Sequence, residues 1–244
     1  MLLKIALAPV LVAQGRWVRA RALKLPEAAG PRQGVAGRGR PRWRVLVLGD
    51  SSGAGVGVAH QRQALAQPLA EALARRLGVP IGWQLVATTG HTTADAVQAL
   101  RHAKLQPADL LVTALGVNDT VGQVSARRWL AQLDEVVALA TQCAGVRTTL
   151  HSGLPPMHRF PLLPQPLRAV LGGDARRLDR ALRAHVAGRP DRHHLPLPEV
   201  GGPLHEGGWV AEDGFHPGPR GYQAWAQALA EVAAPLLDDQ PLGT

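Results

Sequence analysis

At 244 residues, 46% hydrophobic and 18% charged, the chain can bury the core of one α/β domain and is too short for two. Its single cysteine, Cys143, excludes an intramolecular disulfide and a metal site built on paired thiolates. The formal charge of +9 would fit a nucleic-acid binder, but residues 1–44 hold ten Lys or Arg against Glu27 alone, and the other 200 residues balance at 17 basic and 17 acidic. The basicity is an N-terminal attachment on a neutral body, drawn to phosphates of lipid or nucleic acid without specificity of its own.

The chain begins with an apolar run from Ile5 to Ala13, far below the roughly 20 residues a spanning helix needs. Positive charge follows this run instead of preceding it, and Leu11 and Ala13 before Gln14 make a poor cleavage site, so secretion is the less favoured reading and a cytoplasmic location the expected one. Residues 1–40 are expected to form a basic segment that touches an anionic membrane peripherally or packs on the domain. Within it, Pro26–Pro41 reads as a linker from its Gly, Pro and Arg content. The domain proper is placed at 41–240.

From residue 43 onward strand and helix patterns alternate. "WRVLVLG" (43–49) and "DLLVTALG" (109–116) are apolar runs ending in Gly, the pattern of parallel strands covered on both faces. "WQLVATTG" (83–90) and "RTTLHSGLPP" (147–156) are weaker versions. Between them Leu65, Leu69, Leu73 and Leu77 recur every four residues, with Pro68 expected to start or kink that helix. Trp129, Leu133, Val136, Val137 and Ala140 line one face of another; Leu178, Leu182 and His185 predict a third. Tyr222, Trp225, Leu229, Val232 and Leu236 predict a last helix, entered through Gly218 and Pro219. Helices between strands in this order predict a parallel sheet between helix layers, with its ligand crevice at the carboxyl ends of the strands.

Three such ends carry small or polar groups: Asp50–Ser52, Gly90–His91 and "GVND" (116–119). A serine where a strand turns into a helix would gain the helix N-terminus and nearby amides, which favour a developing oxyanion. "EDGFHPG" (212–218) supplies a base: Asp213 and His216 lie three apart, so the carboxylate can orient one imidazole nitrogen while the other faces a hydroxyl. Asn118 offers an amide donor, and Gly90 a backbone N–H with no side chain in the way.

"GDSSGAGVG", the Gly90 of "TTGHTTAD", "GVND" and "DGFH" resemble, in order, the four blocks of the SGNH or GDSL hydrolase family. The resemblance runs from 45 to 222. It implies the flavodoxin-like fold of that family, a three-layer α/β/α sandwich on a central parallel sheet of about five strands. It also implies Ser51 as nucleophile, Asp213 and His216 completing a catalytic triad, an oxyanion hole from Ser51, Gly90 and Asn118, and no cofactor or metal. Two departures stand out: Ser52 replaces an aliphatic residue common in the family, and Thr89 precedes Gly90 where relatives carry a longer Asn-containing loop.

Each residue also has a structural competitor. Ser51 alone would be a helix cap, Asp50 an acceptor for loop amides, Asn118 and Asp119 turn residues, and His216 a surface histidine. The other histidines, His91, His151, His158, His193, His194 and His205 among them, show no ligand spacing and read as structural or substrate-lining. "GLPPMHRFPLLPQPLR" (153–168) is proline-rich and apolar; Met157, Phe160 and Leu162 are expected to wall the site and receive an acyl chain, or else to cap the core.

The expectation is a serine esterase or lipase-type carboxylic ester hydrolase acting on a small-molecule or lipid-like ester, with esterase, lipase, thioesterase and deacetylase unresolved. The alternative is a catalytically silent SGNH-like module binding an acylated or glycosylated partner. A nucleic-acid partner is not expected, since "GRGRPRWR" (37–44) sets one Trp among arginines on an otherwise neutral body.

Overall fold

Strand β1 (Gln33–Ala36) is followed by β2 (Trp43–Gly49), β3 (Ile81–Ala87), β4 (Leu110–Ala114), β5 (Thr148–Ser152) and β6 (Arg192–Leu195), which form one sheet in the order β1-β3-β2-β4-β5-β6. This computed structural model describes residues 2–198 and 207–238, so the end of the expected domain at 240, and His205, lie outside the described residues. Strands β2 to β6 are parallel throughout, and β1 joins β3 antiparallel, with Gln33 opposite Gln84 and Ala36 opposite Ile81.

Alternation along β2 divides the core. Val45 and Val47 face helices α2 (Ala66–Leu77) and α7 (Pro219–Asp238), while Leu46 and Leu48 face α3 (Thr93–His102) and α5 (Ala126–Ala144). A run this uniformly apolar requires cover on both sides, and it has it. α6 (Leu167–Val186) joins the α5 layer, where Leu178, Leu182 and Val186 pack on Trp129 and Leu133. The fold is the expected α/β/α sandwich, with five parallel strands and one antiparallel edge strand added.

Local chemistry accounts for the helix limits. Thr92 accepts from the Asp95 N–H while Asp95 accepts from the Thr92 N–H, a reciprocal cap that starts α3. Ser125 caps α5, and left-handed Gly78 and Gly145 end α2 and α5. Pro68 lies in the first turn of α2, where its missing N–H costs no helical bond, so it starts the helix without kinking it.

The segment from Pro26 to Pro41 departs from the linker expectation. It contributes β1 to the sheet, its Ala28 is buried, and the Ala28 N–H donates to Ala54 O at 3.2 Å. Upstream, α1 (Leu2–Arg21) is a helix laid against α6: Lys4 Nζ reaches both carboxylate oxygens of Asp174 at 2.5 Å, and Gln14 Oε1 accepts from the Leu167 N–H at 3.0 Å. No helix among the described residues is long and apolar enough to cross a membrane.

Candidate active site

β2 ends at Gly49, and residues 51–57 form a run of overlapping turns instead of the expected helix: the Ala54 N–H donates to Asp50 O at 2.9 Å and the Val56 N–H to Ser51 O at 3.0 Å, and α2 begins only at Ala66. Ser51 therefore has backbone amides around it but no long helix behind it. Two close approaches make this turn glycine-rich. A Cβ at Gly49 would lie 2.8 Å from Gly53 Cα, and one at Gly57 would lie 2.3 Å from Pro217 O. The second contact brings the Ser51 turn against the loop that carries His216.

Asp50 is buried, and its Oδ1 accepts from the Ser52 N–H at 2.9 Å and the Ser52 hydroxyl at 2.8 Å. Ser52, the departure from the family pattern, thus closes a local ring with Asp50. Burial raises the Asp50 carboxyl above its usual range, opposed by these two hydrogen bonds.

His216 Nε2 lies 2.8 Å from Ser51 Oγ, and its Nδ1 lies 2.5 Å from Asp213 Oδ2. The second Asp213 oxygen accepts from the backbone N–H groups of Phe215 and His216, both at 3.0 Å. Burial of Asp213 acts to raise its pKa, but the bonds from His216 and Phe215 outweigh it and hold the carboxyl below its usual value. A carboxylate so fixed, on the nitrogen opposite the serine, sets the tautomer that leaves Nε2 free to accept the Ser51 proton.

Gly90 is exposed and stands at φ +85° in the turn after β3, in which the His91 N–H donates to Thr88 O at 3.2 Å. A Cβ there would meet nothing within 4 Å, so the backbone conformation, and not crowding, calls for glycine. Asn118, in the short helix α4 (Val117–Val121), donates through Nδ2 to His91 O at 2.9 Å, and the same nitrogen stands 3.5 Å from Asp50 Oδ2. It therefore joins the Gly90 turn to the Ser51 turn.

The supporting roles of several residues are not legible in the sequence. Asp119 is fully buried and accepts from the Thr93 N–H at 3.0 Å and the Thr93 hydroxyl at 2.9 Å, and the Trp129 indole donates to the same hydroxyl at 3.0 Å. This ties α4 to the start of α3. Tyr222, seen in the sequence only as a helix-face residue, donates its hydroxyl to Ser52 O at 2.9 Å and Val56 O at 2.8 Å. Glu27 accepts from the Thr89 N–H at 2.7 Å and pairs with Arg32, whose guanidinium also reaches Ala87 O. That charge pair, inside the expected linker, holds the Gly90 turn from outside. The only legible signal was that Glu27 is the sole acid among 44 residues.

A cavity of about 630 Å³ opens beside Ser51 and His216, on the side of β4, β5 and β6. Leu154, Pro155, Phe160, Val210, Phe215 and Trp225 give it an apolar wall. Of the three residues expected to receive a substrate, only Phe160 lines it. Phe160 packs on Phe215 with ring centroids 4.8 Å apart, and Phe215 in turn meets the His216 ring at 5.1 Å. Met157 is fully buried in the cluster beneath the loop, with Leu163, Leu167 and Leu171, and Leu162 is half-buried away from the cavity. The proline-rich segment needs a core of its own, and Met157 supplies it.

His151, in β5, is buried with Nδ1 2.8 Å from the Thr113 hydroxyl. His194, in β6, pairs with Asp179 at 2.9 Å, and Asp179 also accepts from the Leu154 N–H at 2.9 Å. His158 and Asp179 line the cavity; His91, His151, His193 and His194 do not.

A hydroxyl, an imidazole and a carboxylate stand in one hydrogen-bonded line at the carboxyl edge of a parallel sheet, the arrangement that serine hydrolases use. The model of the GDSL-like lipase/acylhydrolase family matches residues 47–224, and the chain belongs to that family and is a hydrolase. No curated protein sequence matches the chain. Among solved structures, TesA aligns at 22% identity and TM-score 0.59, covering 79% of this chain and 99% of TesA. A member of the lipolytic G-D-S-L family from Veillonella parvula DSM 2008 aligns at 17% and 0.56, over 78% of this chain and 97% of its own. The inhibitor-bound aryl esterase of M. smegmatis aligns at 17% and 0.56, over 80% of this chain and 99% of its own. At these identities the likeness is one of fold.

Proposed function

We propose that the protein hydrolyses carboxylic esters through an acyl-enzyme on Ser51. The observation that carries this reading is the line from Ser51 Oγ through His216 to Asp213, with contacts of 2.8 and 2.5 Å, opening on an apolar cavity. Ser51 Oγ attacks the ester carbonyl as its proton passes to His216 Nε2, and Asp213 stabilises the imidazolium. The tetrahedral oxyanion is held by the N–H groups of Ser51 and Gly90 and by Asn118 Nδ2. Collapse releases the alcohol with the proton from His216. Water then attacks the acyl-enzyme with His216 as base, the acid leaves, and the Ser51 hydroxyl is restored.

Asn118 suits its part because one of its two amide protons is spent on His91 O, which fixes the side chain, while the other has only the long 3.5 Å contact to Asp50 to give up. The acyl group is assigned to the cavity walled by Phe160 and Leu154. A silent binding module would have no use for an oriented imidazole on the serine. The structural neighbours, an aryl esterase and a member of a lipolytic family among them, support the same reading.

A series of p-nitrophenyl esters of increasing acyl length tests this. The wild-type kcat/KM should rise as the acyl chain fills the cavity, and Asn118→Ala should lower kcat by about 10²–10³-fold. Hydrolysis by the folded wild type no faster than by Ser51→Ala would overturn the reading.

A further inference from the structure

Helix α1 is bound to the domain by one stripe of its surface. Lys4 pairs with Asp174, Gln14 bonds the backbone at Gln165 and Leu167, and Leu11 and Val18 pack on the cluster of Met157, Phe160 and Leu163. The spacing of 4, 11, 14 and 18 is that of one helical face. Away from that stripe the helix is exposed at residues 8–10, 12–13, 16–17 and 19–21, and this is not a polar surface. Val10 is 45% exposed, Val12 55%, Trp17 45% and, just beyond the helix, Leu23 51%. These four are among only six large hydrophobic side chains exposed anywhere in the described residues, the others being Val35 and Val121.

The same stretch carries exposed Arg16, Arg19, Arg21 and Lys24, with the Arg21 guanidinium 4.7 Å from the centre of the Trp17 ring, and no acidic residue precedes Glu27. Apolar side chains beside cations, with an aromatic ring between them, match the interface of an anionic bilayer. Nucleic acid would be served by the arginines but not by Val10 and Val12.

We propose that the exposed surface of α1 docks the protein on anionic phospholipid, with Val10 and Trp17 on one flank of the helix and Val12 on the other meeting the headgroup boundary, and Arg16, Arg19, Arg21 and Lys24 meeting the lipid phosphates. The inner face of α1 touches the cluster containing Phe160, and Phe160 lines the cavity beside Ser51. The cluster of Met157, Phe160 and Leu163 thus stands between the docked helix and the cavity. The consequence that esters carried in the bilayer are the preferred substrates rests on the esterase reading; docking itself does not.

The test is sedimentation of the full chain with phosphatidylcholine vesicles, with and without phosphatidylglycerol. Wild type should pellet only with phosphatidylglycerol and be released by added salt. Val10→Ser/Val12→Ser/Trp17→Ser, all at exposed positions and so expected to fold as wild type, should pellet at least about tenfold less. Arg16→Glu/Arg19→Glu should do the same, since each basic residue near such a surface is worth roughly fivefold. The triple Ser variant should keep wild-type hydrolysis of a soluble ester and lose hydrolysis of a vesicle-borne one. Folded wild type remaining in the supernatant, triple Ser protein pelleting like wild type, or RNA being retained where vesicles are not would each overturn the proposal. Pelleting without any hydrolysis would leave docking standing and remove the esterase reading alone.

Discussion

Tyr222 holds the Ser51 turn through one hydroxyl shared between the carbonyls of Ser52 and Val56, and burial keeps that phenol protonated far above its usual range. Tyr222→Phe removes the donor with little change in packing volume and takes it from both carbonyls, of which Ser52 O keeps the Gly55 N–H at 3.3 Å. Chemical denaturation should show a loss of about 1–3 kcal/mol, and kcat should fall more than KM changes because the Ser51 turn loses one of its anchors. His151 gives a pH signature. Burial, reinforced by Arg192 and His194, lowers its pKa to about 3. The unfolded chain, with an ordinary histidine near pH 6.5, then binds the extra proton first. The stability from keeping His151 neutral is complete above pH 6.5 and is lost progressively as pH falls toward 3. Between pH 7 and 5 this should cost about 2 kcal/mol, read as a falling urea midpoint, and the fall should be smaller in His151→Gln. Equal slopes in both proteins would show that His151 does not carry it. Neither role was visible in the sequence, where Tyr222 was one apolar-face position and His151 one of ten histidines.

At the scale of elements, the strands that read clearly were those with apolar runs. β2 occupies 43–49 as read, and β3, β4 and β5 each lie within two residues of the start of their runs. β1 and β6, each four residues long and at the two edges, carry the mixed sequences "QGVA" and "RHHL", so no run or alternation marked them. α3 was legible in principle, because Thr92 and Asp95 have the spacing of a reciprocal cap. The place of β1 decides where the chain can be shortened. A cut at residue 40 would remove β1, buried Ala28 and the Glu27 carboxylate that holds Thr89, whereas a cut before Pro26 would spare them. The longer truncation should lose cooperative unfolding, and a version starting at Pro26 should keep it. Gly116, which starts α4 at φ +124°, is a second element-level constraint: a Cβ there would sit 2.8 Å from the Trp129 ring, which itself bonds Thr93 above Asp119. Gly116→Ala should cost about 1–3 kcal/mol and displace Asn118 with α4, lowering kcat along with the melting temperature.

Across the whole molecule, the sheet gathers residues 50–52, 88–91, 116–119 and 213–216 at one edge, from four separate parts of the chain. That gathering was legible because parallel strands put their carboxyl ends on one side, and because small or polar residues interrupt each apolar run at its end. What surrounds the site was less legible. Among the described residues the cavity is lined by the loop after β5, by residues 196–198 and by Trp209 and Val210, short stretches with no period to read. The proposed function requires Ser51 to be a nucleophile activated by His216 and Asp213. The measurement that tests it most directly is labelling of the purified protein by a fluorophosphonate, with the modified peptide located by mass spectrometry. One adduct is expected, on Ser51, absent from Ser51→Ala and strongly slowed in His216→Ala. An adduct on another residue, or none on folded protein, would contradict it.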